Sequence, residues 1–357
     1  MRKGCFLLLA IVFLVYGYQG YKVIEIYSND DIKIKKSAKL SDIAGHVIPV
    51  PLETPDSGNM RDIKHARKDG DNLFLLSENR LLRFDTGGNF INRIASDIND
   101  ENDAFIIGYV LHTNMRQILV IDSQRNISKY DYDGNFISKT EIKHTWRKLT
   151  AFTFHNGYLW ATAETLVKEN KQPVSYLIMH DLYQLDVDMN ELSKTTLHIA
   201  NVGRNKIFNR PCVSALFADE DGIYAYSQPY EPEHLLEDTL HIIQQKQFPL
   251  LYSGANYEMP HIYPIRKGKR YLLSTCNSPD NNHLTFCYDN ANYTAYLLPE
   301  GFKDDFFETG YIADFQPLDI HNNSYYFIKS GNDLSGKFPE RSANEDNPVL
   351  FIVHLNI

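Results

Sequence analysis

Between Asp97 and Asp103 the chain sets oxygen-bearing side chains at alternating positions: Asp97, Asn99, Glu101 and Asp103. That spacing suits a hard cation such as Ca²⁺. A Ca²⁺ loop also needs a sharp turn at its sixth position, where glycine is favoured, and Asn102 stands there. The plainer reading is a solvated acidic loop. A second set is scattered: Arg61, Arg147, Arg204, Arg210, His261 and Asp314 each fall near the start of an apolar run. Arginines gathered at one end of a channel would grip a carboxylate or an anionic sugar through paired hydrogen bonds. Taken singly, each is more simply a solvated charge or half of a local ion pair. Tyr230 sits on a long polar stretch after Tyr226, where it could stack on a sugar or a peptide. Metal-dependent hydrolysis would need acidic or amide ligands on several inner runs. Asp314 qualifies, whereas Gly108 and Ala215 in comparable runs offer none.

Familiar catalytic signatures are missing from the sequence. There is no Gly-x-Ser-x-Gly elbow, no His-Glu-x-x-His and no Cys-x-x-Cys. These absences weigh modestly, because some folds assemble sites from residues far apart in sequence. Asn126, Asn292 and Asn322 head Asn-x-Ser/Thr triplets, a number expected by chance.

The elements that must position these residues come from a repeat. Leu73 to Ile94 and Leu119 to Thr140 align without a gap, and Gly88-Asn89-Phe90-Ile91 recurs as Gly134-Asn135-Phe136-Ile137. A period in the forties with four short β runs per unit is a propeller blade. Blade one reads Ile63–Ala66, Leu73–Leu76, Leu81–Phe84 and Phe90–Ile94. Blade two repeats it from Ile106 to Lys139. A degenerate third copy runs through Tyr158–Ala161 and Leu185–Thr195, where Asp186 to Asn190 echoes Asp131 to Asn135. The fourth spans Val213 to Tyr252, the fifth His261 to Leu297 and the sixth Phe315 to Leu355. Apolar residues at both alternations suit strands covered on both faces by neighbouring blades. The sixth blade lacks an outer strand, and His46 to Leu52 is a strand-like run free to supply it and close the ring. Lys39 to Ala44 reads as a short helical turn. The expected fold is all-β, a six-bladed β-propeller closed by an N-terminal strand, over residues 46–357 after a lead-in at 21–45.

One face of such a propeller gathers the loops entering the inner strands, near 97–105, 142–148, 200–211, 253–261 and 299–311. The loops between second and third strands join them, and three are long: 164–175, 227–238 and 329–347. Function tends to sit on loops over a rigid scaffold.

Residues 1–20 read as a signal peptide: Arg2 and Lys3, an apolar run from Cys5 to Tyr16, then Gly17 and Gly20. The run is short for a membrane-spanning helix, which needs about 20 residues. No other stretch is apolar enough, so no stable membrane span is expected after cleavage. The expected location is the periplasm or cell envelope. Cys212, Cys276 and Cys287 would remain, an odd number. Cys276 and Cys287 flank a turn at residues 277–282. Pairing Cys276 with His283 puts Cys287 near Leu272, too far along the strands for a Cys276–Cys287 disulfide. The net charge of −9 argues against nucleic acid and anionic lipid as partners.

Several pieces together resemble a known family over roughly residues 40–357. They are Leu40-Ser41-Asp42-Ile43, Ile48-Pro49-Val50-Pro51-Leu52-Glu53-Thr54, the hairpins with Phe84-Asp85 and Tyr130-Asp131, Gly222-Ile223-Tyr224, and Asp346-Asn347-Pro348-Val349-Leu350. The family is the exported six-bladed β-propellers abundant in gut Bacteroidetes. The resemblance implies fold and export, and no established activity. Its usual Gly- and Pro-rich loop after the first blade is replaced here by Ser96 to Phe105.

The leading expectation is a non-enzymatic binding platform that presents loops to a protein or glycan partner, with no cofactor unless Ca²⁺ occupies the acidic loop. The alternative is a Ca²⁺-dependent hydrolase or lactonase with its site at the channel mouth. A purely structural envelope component is the third reading.

Overall fold

The computed structural model describes residues 24–26, 32–55, 60, 62–96, 104–168, 175–203, 214–219, 222–227, 239–242, 246–252, 261–277, 283–292, 294–313, 315–319, 322–330, 334 and 347–357. Most of them form six sheets, each built on four antiparallel strands, arranged as the blades of a propeller. Blade one comprises Ile63–Asp69, Asn72–Ser77, Arg80–Asp85 and Phe90–Ser96, and blade two Ile106–His112, Gln117–Asp122, Asn126–Asp131 and Phe136–Glu141. Blade three comprises Lys148–His155, Tyr158–Lys168, Ser175–Leu185 and Glu191–Gly203. Blade four has Ser214–Asp219, Gly222–Ser227, Thr239–Ile242 and Lys246–Tyr252. Blade five has His261–Lys267, Tyr271–Asn277, His283–Asp289 and Thr294–Leu298. Blade six has Gln316–Asp319, Ser324–Lys329 and Val349–Leu355, with Ala44–Pro51 as its outer strand.

Strand Ala44–Pro51 pairs antiparallel with the end of the chain, from Val349 opposite Pro51 to Leu355 opposite Ala44. Val47, Val50 and Leu52 are buried beneath it. Asn347, fully buried, fixes the junction. Its amide nitrogen donates to the Leu52 carbonyl at 3.3 Å and to Thr54 Oγ1 at 2.6 Å, and its Oδ1 accepts from Met60 N at 3.2 Å. The two sequence pieces Leu52-Glu53-Thr54 and Asn347-Pro348 therefore belong to one hydrogen-bonded joint.

The core is a series of layers between blades. Leu73, Leu75 and Phe84 of blade one pack with Val50, Tyr326 and Ile352 of blade six. Phe74 and Leu76 face Tyr109 and Ile118 of blade two, and Leu119 and Ile121 face Leu159, Ala161 and Tyr183 of blade three. Neighbouring strand residues thus serve opposite layers, which is why the runs are apolar at both alternations.

The repeat itself is a turn. Asp85 Oδ1 accepts from the backbone of Gly87 and Asn89, both at 2.9 Å, while Oδ2 accepts from the Asn89 amide at 2.7 Å. Asp131 does the same for Asp133 and Asn135, and Asp186 for Asp188 and Asn190. The fourth position of each turn is left-handed: Gly88 at φ +90°, Gly134 at φ +85° and Met189 at φ +70°. Basic residues one repeat apart reach the next blade's turn, Arg83 to Asp133 at 3.0 Å and Lys129 to Asp188 at 2.6 Å.

These turn carboxylates carry a pH prediction. In each, the hydrogen bond from the turn's own asparagine holds the carboxyl below its ordinary 3.8, and the backbone N–H bonds add to it. A lowered native pKa means stability that is complete above the ordinary value and lost as pH falls through the native value. The expected result is a melting temperature that drops on acidification below about pH 4. A triple Asp85→Asn, Asp131→Asn, Asp186→Asn variant should show a lower plateau and a flatter acid limb. An acid limb as steep as that of the parent chain would refute the assignment.

Several expectations are corrected. The stretch 164–175 is not a long loop: Tyr158–Lys168 and Ser175–Leu185 run 11 residues each, and 200–203 extend the outer strand. The stretch 299–311 holds Phe302–Asp304 and Gly310–Ile312, which form a small sheet with Ala38–Lys39. The helical turn is Leu40–Asp42. In blade five the register is shifted by one, with Cys276 opposite Leu284 and Cys287 opposite Leu273. Cys287 is a free, buried thiol, pushed up to about 12 by burial first and by Asp289 second.

Candidate functional site at the entry end of blade three

Of the residues singled out by sequence, Arg61, Asp97, Asn99, Glu101, Asp103, Arg204, Arg210, Tyr230 and Asp314 lie outside the described residues. His261 opens the innermost strand of blade five, opposite Asn277. Arg147 is placed in full, directly before the innermost strand of blade three. Its guanidinium bonds the Glu164 carboxylate, and its backbone N–H donates to the Glu164 carbonyl at 2.7 Å. Glu164 keeps 3% of its surface and Arg147 about a third of its side chain. The ion pair pins the entry of the inner strand, so gripping an external anion would mean sharing Arg147 with Glu164.

Around this pair lies a polar cluster that sequence reading passed over. Lys148, Glu164, His180 and His198 fall in one cross-strand row. Thr150 Oγ1 donates to the Thr162 carbonyl at 2.9 Å and lies 3.0 Å from His180 Nε2. His180 and Thr162 are wholly buried. On the other face of the blade, fully buried Asp181 accepts from Lys194 Nζ at 2.9 Å and Thr196 Oγ1 at 2.7 Å. Burial alone would lower the Lys194 ammonium, but the bonds and charge of Asp181 outweigh it and hold the pKa above normal. The available signal was the polar run Thr162, Glu164, His180, Asp181 inside strands otherwise apolar. It was missed because their partners lie on adjacent strands, up to 30 residues away.

The innermost strand of blade one adds Lys64, His65 and Arg67. Burial among protein atoms, then the charges of Arg67 and Lys64, lower the His65 pKa to about 4, so its ring is neutral at neutral pH. The residue as a whole nonetheless keeps over a third of its surface. Being enclosed yet wetted fits its place on an innermost strand. Among the described residues no three His, Cys, Asp or Glu side chains come together as metal ligands. What the described cluster offers is a rigid, satisfied polar framework under the loop face.

Blade three also overreaches its neighbour. Glu164 is level with the first residue of its inner strand, and Thr165 to Lys168 continue past it. At ~3.3 Å per residue this overhang is about 13 Å. Blade two stops at its own inner strand, with a turn at Ser123–Arg125. Val167 and Ile199, on the side of blade three that faces blade two, are consequently 41% and 56% exposed.

Comparison with known proteins agrees with this architecture. A "Putative exported protein" of Bacteroides fragilis is similar at 14% identity, over 91% of this chain and 100% of that one, with a TM-score of 0.57. The Pan2 WD40 domain of Neurospora crassa matches at 10% identity, 83% and 76% coverage and a TM-score of 0.39. A luciferin-regenerating enzyme matches at 11% identity, 86% and 95% coverage and 0.42. No protein of curated function matches. Among the described residues no helix is long and apolar enough to cross a membrane. A family model described as "6-bladed beta-propeller" matches residues 21–260. Most of the chain is covered by that match and the observed sheets agree with it, so the chain belongs to the six-bladed β-propeller family DUF5128.

Proposed function

We propose that this propeller is a non-enzymatic binding platform of the periplasm or cell envelope, exported by the signal at residues 1–20, that presents its entry-face loops to a protein or glycan partner. The observation carrying this reading is the overhang of blade three, which raises exposed Val167 and Ile199 on the loop face above a rigid polar framework. Exposed apolar side chains held on a stiff scaffold are what a contact surface requires.

The test is loop trimming. Shortening the chain within 228–237 or 336–345 should abolish capture of envelope proteins or arrayed glycans while the melting temperature holds. The second cut spares Leu334 and Asn347, which are buried. Capture unaffected by either cut would sink the platform reading.

The acidic loop supplies the competing chemistry, and a thermal melt separates the two. On the platform reading, adding Ca²⁺ or a chelator leaves the melting temperature unchanged. A ligand bound by the folded state alone would raise it by mass action. A clear drop on chelation would move the function to a Ca²⁺-dependent hydrolase with Asp97, Asn99, Glu101 and Asp103 as ligands.

A further inference from the structure

The outer edges of the blades differ. Along blade four, Ile24–Ile26 runs parallel to Lys246–Tyr252, with Ile24 opposite Leu250. Along blade five, Ile32–Ile34 runs parallel to Thr294–Leu298, with Ile32 opposite Ala295. The chain thus lays its own lead-in against two adjacent blades as a fifth strand. On blade three, Glu191–Gly203 ends the sheet among the described residues, and its 13 residues make it the longest described strand.

An edge of that length, unpaired among the described residues, presents a row of backbone donors and acceptors, which proteins ordinarily guard with proline or an outward lysine. This strand has no proline. Its one lysine, Lys194, is drawn into the blade by Asp181 at 2.9 Å. The outer strand of blade one is covered by its neighbour. The turn of blade two packs on it: Asn92 Nδ2 donates to the Tyr132 carbonyl at 3.3 Å, and a Cβ on Gly134 would fall 2.5 Å from the Arg93 carbonyl oxygen. Beside the open edge lies an aliphatic patch. Ile199 stands opposite Met179, which stands opposite Thr165, and Val167 continues the same face.

We propose that the outer edge of blade three is a docking edge for an extended peptide strand of a partner protein, added parallel to Glu191–Gly203 and aliphatic at alternate positions. The chain's own additions set the chemistry: they read Ile-Glu-Ile and Ile-Lys-Ile. Backbone hydrogen bonds supply affinity in such an addition, and every second side chain meets the receiving face, here Ile199 and Val167. This proposal rests on the platform reading, since Val167 and Ile199 serve both, but the edge lies outside the trimmed loops, so failure of the loop cuts and failure of the peptide test are distinguishable.

The probe is a labelled peptide with the sequence of residues 22–28, added to the purified chain and followed by fluorescence anisotropy and amide hydrogen exchange. The expected result is binding that slows exchange across 191–203. Ile199→Lys should weaken it about tenfold with no change in melting temperature, because a lysine beside the edge disfavours strand addition. N-methylation of alternate peptide amides should abolish it, and that control does not depend on any variant folding. No binding, or affinity indifferent to both changes, overturns the proposal. So does slowed exchange confined to 246–252 or 294–298, which would mean the peptide replaces the chain's own strands. Concentration-dependent dimers of the peptide-free chain, lost in Ile199→Lys, would give the edge to a second copy and also overturn it.

Discussion

Gly88→Ala should destabilise the propeller by about 2–5 kcal/mol, combining an unfavourable backbone region with overpacking. The glycine sits at φ +90°, and a Cβ there would lie 2.0 Å from the Pro51 carbonyl oxygen and 3.0 Å from Val50 Cγ1. Neither neighbour is a flexible side-chain end. Both belong to the outer strand of blade six, so relief must move the joint between the last blade and the first. The same joint is held from the other side, where Glu53 N–H donates to the Gly88 carbonyl at 2.9 Å and the Glu53 carboxylate accepts from Phe90 N at 2.7 Å. Gly70→Ala is the matched control. Its φ is +54°, and nothing lies within 4 Å of the added Cβ. It should cost only the left-handed backbone term, about 1–2 kcal/mol. Equal losses in the two variants, measured by denaturant unfolding, would show that the approach to Pro51 is not a constraint.

Deleting residues 46–52 should remove the cooperative melt altogether. The segment includes Val47, Val50 and Leu52, each at most 4% exposed. Burial of three such side chains contributes about 5–8 kcal/mol, comparable with the whole stability of an ordinary domain. Deletion also leaves Val349–Leu355 without its ladder partner. Asn347→Ala tests the joint with less damage and should cost about 2–4 kcal/mol, since three hydrogen bonds of a buried amide are lost. A chain lacking 46–52 that melts like the parent would mean that the ring does not depend on this strand for closure.

The strands were legible because their signals are local. Glycine and asparagine at Thr86 to Asn89 and Asp131 to Asn135 mark turns through positive φ, and the alternation between them marks strands. The third copy was harder to read because Met189 replaces the glycine. Its neighbour explains the exchange: Met189 packs in the layer between blades two and three, and its carbonyl accepts from His144 Nε2 at 3.0 Å. The strands at 24–26 and 32–34 were not legible. Three-residue additions at a sheet edge carry too little periodicity to stand out from a lead-in.

The candidate site divides along the same line. Composition, the turn motif and the 46-residue offset determined on their own that this chain is a six-bladed propeller, because each blade must bury both faces and repeats its means of doing so. The pairing of Arg147 with Glu164, the burial of His180 and Asp181 and the overhang of blade three were decided by tertiary structure alone. Those features depend on strand register and on the relative height of adjacent blades. Both are set by contacts between residues tens of positions apart, which leave no periodic mark in the sequence.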